Sequence, residues 1–260
     1  MIVVKKLCKS YGSLTVLKDL NLTINEGESL VILGRSGVGK SVLLRQILAI
    51  ERPDSGTVEI DGKNLWEMSQ RERLKATSRM GMLFQGAALF DSMNVEENIA
   101  YYLREHEGHL SEEEIQKRVA DALEMVDMAG TQEKMPSDLS GGMRKRAALA
   151  RVIVYRPRIV LYDEPTTGLD PITAMQINEL ILMIQNELKG TTIVVTHDIK
   201  SAITVGDRLA FHDNQRIEHI APKNEFLKIE DPQIKAFFEN ATLTGEFLAE
   251  IKNGRSKHHG

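Results

Sequence analysis

Residues 34–41 read Gly-Arg-Ser-Gly-Val-Gly-Lys-Ser, the spacing of a phosphate loop. Gly34, Gly37 and Gly39 let the main chain turn tightly and keep side chains out of the way. Successive N–H groups, Ser36 among them, can then face a phosphate at the start of a helix. Lys40 is spaced to reach the β- and γ-phosphates of a nucleoside triphosphate, and Ser41 to place a hydroxyl on Mg²⁺. Farther along, Asp163 and Glu164 follow the apolar run 159–162. A strand there delivers Asp163 beside the Mg²⁺ held by Ser41. Glu164, one residue on, either polarises a water in line with the γ-phosphate or pairs locally. Gln85 ends the apolar run 80–84, where its amide can coordinate Mg²⁺ or orient water. His197 ends the run 193–196, where a neutral imidazole can donate to the γ-phosphate.

A second glycine-rich element, Leu139-Ser140-Gly141-Gly142-Met143, precedes a helical stripe of Met143, Ala147, Ala150 and Val154. Ser140, Gly141 and Gly142 offer exposed N–H groups, a hydroxyl and a favourable helix end. The segment is either a capped helix or a second phosphate receptor. As a receptor it binds its own ligand, or two chains share one.

Elements must hold these residues together. The residues 1–7 and 15–24 alternate as strands, with a turn at 26–28, and 30–33 form the strand entering the loop. A helix is expected over 40–49, a break at 53–56, a strand at 58–60, a surface helix at 71–75 and a strand at 79–84. Helices are expected over 95–105, over 112–126 behind Ser111, and after Ser140. Strands at 159–162 and 191–195 flank a helix at 175–188, and a helix starts at 201–205. A hairpin pairs 208–212 with 216–220, and the tail turns helical at 225–228 and 232–240 before a polar, disordered end at 253–260. Alternating strands and helices predict an α/β fold with a mostly parallel sheet.

The bulk numbers narrow the function classes. The 260 residues carry a net charge of −4, with 27% charged and 42% hydrophobic residues, as in a soluble globular protein without a broad nucleic-acid surface. The single cysteine, Cys8, allows no intrachain disulfide and no cysteine metal cluster. No apolar run is long enough to cross a bilayer, and the N-terminus lacks a signal-peptide pattern. A cytoplasmic location is expected, with any membrane contact made through a partner.

Over about residues 2–221 the chain resembles the ATP-binding cassette (ABC) family. The carrying motifs are the phosphate loop, Gln85, the 139–143 segment, Asp163-Glu164, Gly168-Leu169-Asp170 and His197, in the family's order. The resemblance implies a P-loop core of ABC type, an N-terminal antiparallel β subdomain and a helical subdomain inserted at about 88–158. It implies a nucleotide-binding domain over 1–221 and a C-terminal extension over 222–260. It also implies ATP and Mg²⁺ as ligands. Tyr11 would stack on adenine, Glu164 would be the general base, and Ser140, Gly141 and Gly142 would complete the γ-phosphate site of a second copy. Asp170 would touch the opposite phosphate loop. Val42 departs from the pattern, since many members carry a second hydroxyl there, leaving one α-phosphate contact to the main chain.

Residues 83–95, 140–151 and 231–238 are similar to MlaF-like ATPases of MCE-type phospholipid transport systems. That narrower resemblance implies two copies beneath integral membrane permease subunits on the cytoplasmic face, an MCE-domain protein across the membrane and room for a small regulatory subunit. Ala87, Ala88, Leu89 and Phe90 would seat a short permease helix. Other readings are the ATPase of a different importer or exporter, a cassette acting on ribosomes or DNA repair intermediates, and an ATP-binding regulator without turnover.

Overall fold

The computed structural model describes residues 1–240. Two sheets form its frame. β1 (Ile2–Tyr11), β2 (Leu14–Ile24), β4 (Ser55–Ile60) and β5 (Lys63–Asn64) make an antiparallel sheet in the order β2-β1-β4-β5. The second sheet comprises β3 (Ser29–Leu33), β6 (Met80–Leu83), β7 (Ile159–Asp163), β8 (Thr191–Thr196), β9 (Arg208–Asp213) and β10 (Arg216–Pro222). Its order is β10-β9-β3-β8-β7-β6, parallel except for the β9–β10 hairpin.

Side chains alternate across the parallel sheet because successive Cβ atoms point to opposite faces. Leu30 and Ile32 of β3 pack toward the antiparallel sheet, with Ile193 and Val195 of β8 and Leu161 of β7. Val31 and Leu33 face the other way, with Val160, Tyr162 and Val194. Helix α1 (Lys40–Ile47) fills the first core with Leu43, Leu44 and Ile47. The second core takes α3 (Val95–His106), α4 (Glu112–Met125), α5 (Gly141–Ile153), α6 (Pro171–Leu188) and α7 (Ile199–Val205). Strands buried on both faces explain the unbroken apolar runs in the sequence.

Local chemistry starts the helices. Capping boxes at Ser69/Glu72, Asn94/Glu97 and Ser111/Glu114 open α2 (Gln70–Thr77), α3 and α4. Between the paired strands β6 and β7 the chain runs through α3, α4 and α5. After β10, α8 (Lys223–Phe226) and α9 (Pro232–Asn240) follow, and Phe237 of α9 meets Phe211 edge-on at 5.4 Å.

Several boundaries differ from those expected. α6 begins at Pro171 rather than at 175, because the Asp170 carboxylate caps Ile172 and Thr173 and Pro171 fits the first helical position. α7 begins at Ile199 rather than 201, capped by Asp198. α1 stops at Ile47 rather than 49, where Ala49 turns to φ 54°. β1 runs on to Tyr11 instead of ending at 7, through register shifts around Lys6, whose φ is 45°. β4 starts inside the expected break, at Ser55. Cys8 lies in β1. The expectation for residues 253–260 lies outside the described residues. Among the described residues no helix is long and apolar enough to cross a membrane.

Candidate nucleotide site

β3 is wholly buried, so it fixes where the loop 34–39 leaves the sheet. Gly34 passes so close to β9 that a Cβ there would lie 2.4 Å from the His212 carbonyl oxygen. Gly39 holds φ 108°, and its Cβ would meet Val16 at 2.6 Å, so no other residue fits. The loop is thus held against β9 at Gly34 and β2 at Gly39 as it enters α1, whose first N–H groups have no partner within the helix.

Lys40 is buried, and each of its three donor directions has an acceptor. Its Nζ donates to the Gly34 carbonyl at 2.8 Å and the Arg35 carbonyl at 2.9 Å, and pairs with Glu164 Oε1 at 3.1 Å. Ser41 Oγ donates to Asp163 Oδ1 at 2.7 Å. Burial raises the Asp163 pKa above the usual aspartate value, opposed by the Ser41 hydrogen bond and reinforced by the neighbouring Glu164 charge.

Glu164 turns out of the sheet at φ 48°, an uncommon conformation for a residue with a side chain. Its N–H bonds the Val195 carbonyl at 2.9 Å. Its Oε2 accepts from Thr167 Oγ1 at 3.1 Å and lies 2.9 Å from His197 Nδ1. Thr167 was not singled out in the sequence. A hydroxyl three residues past a carboxylate, within a turn, is the signal that finds it.

A cavity of about 380 Å³ opens above these groups. Tyr11, Val16 and Arg45 line it together with Ser36, Gly37, Gly39, Lys40, Ser41 and Val42 of the loop and the start of α1. Gln85, Glu164, Thr167 and His197 complete the lining. The Tyr11 hydroxyl bonds the Glu51 carboxylate, which raises the tyrosine pKa alongside the larger effect of burial.

Ser140, Gly141, Gly142 and Asp170 do not line this cavity within one chain. Ser140 is exposed and caps α5, its Oγ accepting from the Met143 N–H at 3.3 Å. Gly142 lets α5 close on α6, since a Cβ there would lie 2.7 Å from Thr173 Cγ2. Asp170 also accepts from Thr173 Oγ1, which holds its carboxyl below the usual range.

The donor set suits a nucleotide with Mg²⁺. Ser41 and Asp163 offer hard oxygen atoms side by side, and Mg²⁺ takes few protein ligands while retaining water and phosphate oxygens. Among the described residues no trio of His, Cys, Asp or Glu forms a dedicated metal cage. The glycine cradle and the buried lysine match a polyphosphate.

A family model described as ABC transporter matches residues 17–167. A Mycobacterium leprae protein called a probable ribonucleotide transport ATP-binding protein is 38% identical over 97% of this chain and 72% of its own length. The intermembrane phospholipid transport system ATP-binding protein of Haemophilus influenzae is 37% identical over 92% of this chain and 90% of its length. Relatives named for sulfate/thiosulfate, methionine and spermidine/putrescine import are 37–40% identical. A solved dimeric ATP-binding cassette, in a post-hydrolysis state bound to ADP and Pi, superposes with TM-score 0.78 at 33% identity, covering 86% of this chain and 99% of that one. The observed sheets and helices agree with the expected α/β cassette architecture.

Proposed function

This chain belongs to the ABC transporter family and is an ATP-hydrolysing subunit of that type, and on that premise we propose its residue roles, partners and cargo. The convergence of Lys40, Ser41, Asp163, Glu164 and His197 at one cavity carries the reading. The main-chain N–H groups of Gly34, Ser36, Gly37, Gly39 and Val42 cradle the phosphates, and Tyr11 stacks on the base. Lys40 exchanges Glu164 for phosphate oxygen. Ser41, Gln85 and Asp163 hold Mg²⁺, which when bound neutralises charge building on the phosphates.

Glu164, released from Lys40, orients the attacking water and takes its proton. His197 steadies the freed carboxylate through Nδ1 and meets the γ-phosphate through Nε2. Ser140, Gly141, Gly142 and Asp170 act on the site of a second copy. Their position outside the cavity of their own chain and the dimeric state of the solved relative support this.

The proposed division is a nucleotide-binding domain over 1–221, helical at 88–158, with an extension over 222–260. Permease subunits dock on residues 85–95, and the chain sits at the cytoplasmic face through them. For cargo, phospholipid with an MCE-domain protein and a small regulatory subunit is the narrower reading. The segments 83–95 and 140–151 and the coverage of the Haemophilus relative support it. Relatives named for ribonucleotide, sulfate, methionine and polyamine transport are as similar, which favours the broader reading of an importer or exporter of another cargo.

Phosphate release by the purified chain with Mg²⁺ and ATP tests the activity: turnover that Lys40→Ala abolishes is expected, and turnover indifferent to Lys40 refutes the site. Reconstitution with the permease, comparing vesicle-to-vesicle phospholipid transfer with uptake of sulfate, methionine and spermidine, then separates the cargo readings.

A further inference from the structure

A buried cation joins the Gln85 loop to the helix that starts at Ser140. Lys145 of α5 is 5% exposed, and its Nζ donates to the main-chain carbonyl of Gln85. Farther along α5, Arg151 donates to the carbonyls of Ala88 at 2.7 Å and Ala87 at 3.1 Å. Ala87 and Ala88 hold φ 65° and 51°, the left-handed region that a Cβ disfavours, so this stretch keeps its path because neighbours fix it. Burial lowers the Lys145 pKa, and the charges of Asp163 and Glu164 oppose that shift. An ammonium in such surroundings is costly to leave without an acceptor, so displacing the Gln85 carbonyl from Lys145 is strongly unfavourable.

We propose that Lys145 is a positioning residue for hydrolysis, bolting Gln85 to α5 so that the Gln85 amide stays at the nucleotide cavity, where it would help to hold Mg²⁺. The Gln85 loop and the Ser140 end of α5 then move as one body. The inference rests on the reading of Gln85 as a Mg²⁺ ligand.

The test is the Mg²⁺ dependence of ATP hydrolysis, together with Mg²⁺ affinity read by calorimetry with a non-hydrolysable ATP analogue bound, in the wild type, Lys145→Met, Lys145→Arg, Gln85→Ala and the Lys145→Met/Gln85→Ala double variant, each checked by thermal melting. Lys145→Met should raise the Mg²⁺ needed for half-maximal rate, and lower kcat, by about tenfold, with KM for ATP at saturating Mg²⁺ little changed. Lys145→Arg, which keeps a charged donor, should recover most of the loss. The double variant should be no worse than Gln85→Ala, because Lys145 acts through that residue. If Lys145→Met does not fold, Lys145→Gln replaces it in the same cycle. Wild-type Mg²⁺ dependence in Lys145→Met, or losses that multiply in the double variant, overturns the proposal. Gln85→Ala with wild-type Mg²⁺ dependence overturns the Gln85 reading and this inference together, whereas a shift in Gln85→Ala alone overturns only the role of Lys145.

Discussion

Glu164→Gln should tighten ADP binding even though it stops turnover. Within the chain Lys40 spends its donors on two carbonyls and the Glu164 carboxylate, at 2.8, 2.9 and 3.1 Å. An incoming phosphate must therefore displace one acceptor, and Glu164 is the one that can yield by a side-chain rotation, since the other two are loop main chain. A hydrogen bond to a charged group contributes about 1.5–3 kcal/mol net, and a neutral acceptor keeps roughly half of that. Exchanging carboxylate for amide thus removes about 1 kcal/mol of competition, equivalent to about fivefold in Kd. Relief of carboxylate–phosphate repulsion adds to this figure. ADP is the right probe, because trapping of unhydrolysed ATP cannot then mimic the effect. Titration calorimetry at protein concentrations where the chain is monomeric reads it directly. Unchanged or weaker ADP affinity in a folded Glu164→Gln variant refutes the competition between Glu164 and phosphate for Lys40.

Three other outcomes follow from the geometry. Asp163→Asn should raise the melting temperature at pH 7 while abolishing Mg²⁺-dependent hydrolysis: burial raises the Asp163 pKa, so its ionised form burdens the folded state, a cost that fades as pH falls through the raised value; an unchanged or lower melting point counts against it. His212, wholly buried, has its pKa pushed down to about 4 by burial and by the charge of Lys40. The unfolded chain therefore binds a proton first, and stability falls as pH drops from about 6.5 toward 4, by about 2 kcal/mol at pH 5 and about 3 kcal/mol below pH 4. Denaturant midpoints of His212→Phe should show a flatter acid limb, and an equally steep limb removes His212 as its source. Leu89→Asp or Phe90→Asp should impair co-purification with the permease more than nucleotide affinity, since Phe90 is 42% exposed and Leu89 only partly buried; retained association moves the docking surface elsewhere.

The strands that carry the site were legible because burial on both faces leaves unbroken apolar runs, as at 30–33 and 159–162. Ser111 announced α4 through its capping box. The early start of α6 was written in the sequence too, since Asp170-Pro171 is a cap followed by a first-turn proline, but the apolar stripe beginning at 175 drew the boundary. What could not be read was contact between distant segments. The packing of Gly34 against His212 and the bond from Lys145 to Gln85 depend on how sheets and helices stack, and neither leaves a periodic trace. The Lys40–Glu164 pair likewise joins two motifs whose residues, taken singly, point to separate tasks. Ser140 illustrates the converse. Its pattern admitted both a helix cap and a phosphate receptor, and one chain displays only the cap.

The most direct measurement is a crystal structure of Glu164→Gln with Mg²⁺ and ATP. The account predicts two copies sharing each triphosphate, with the γ-phosphate held by Lys40 of one and within hydrogen-bond reach of Ser140 of the other. A fully bound nucleotide contacted by Lys40 alone, with Ser140 of every copy remote from it, contradicts the shared site.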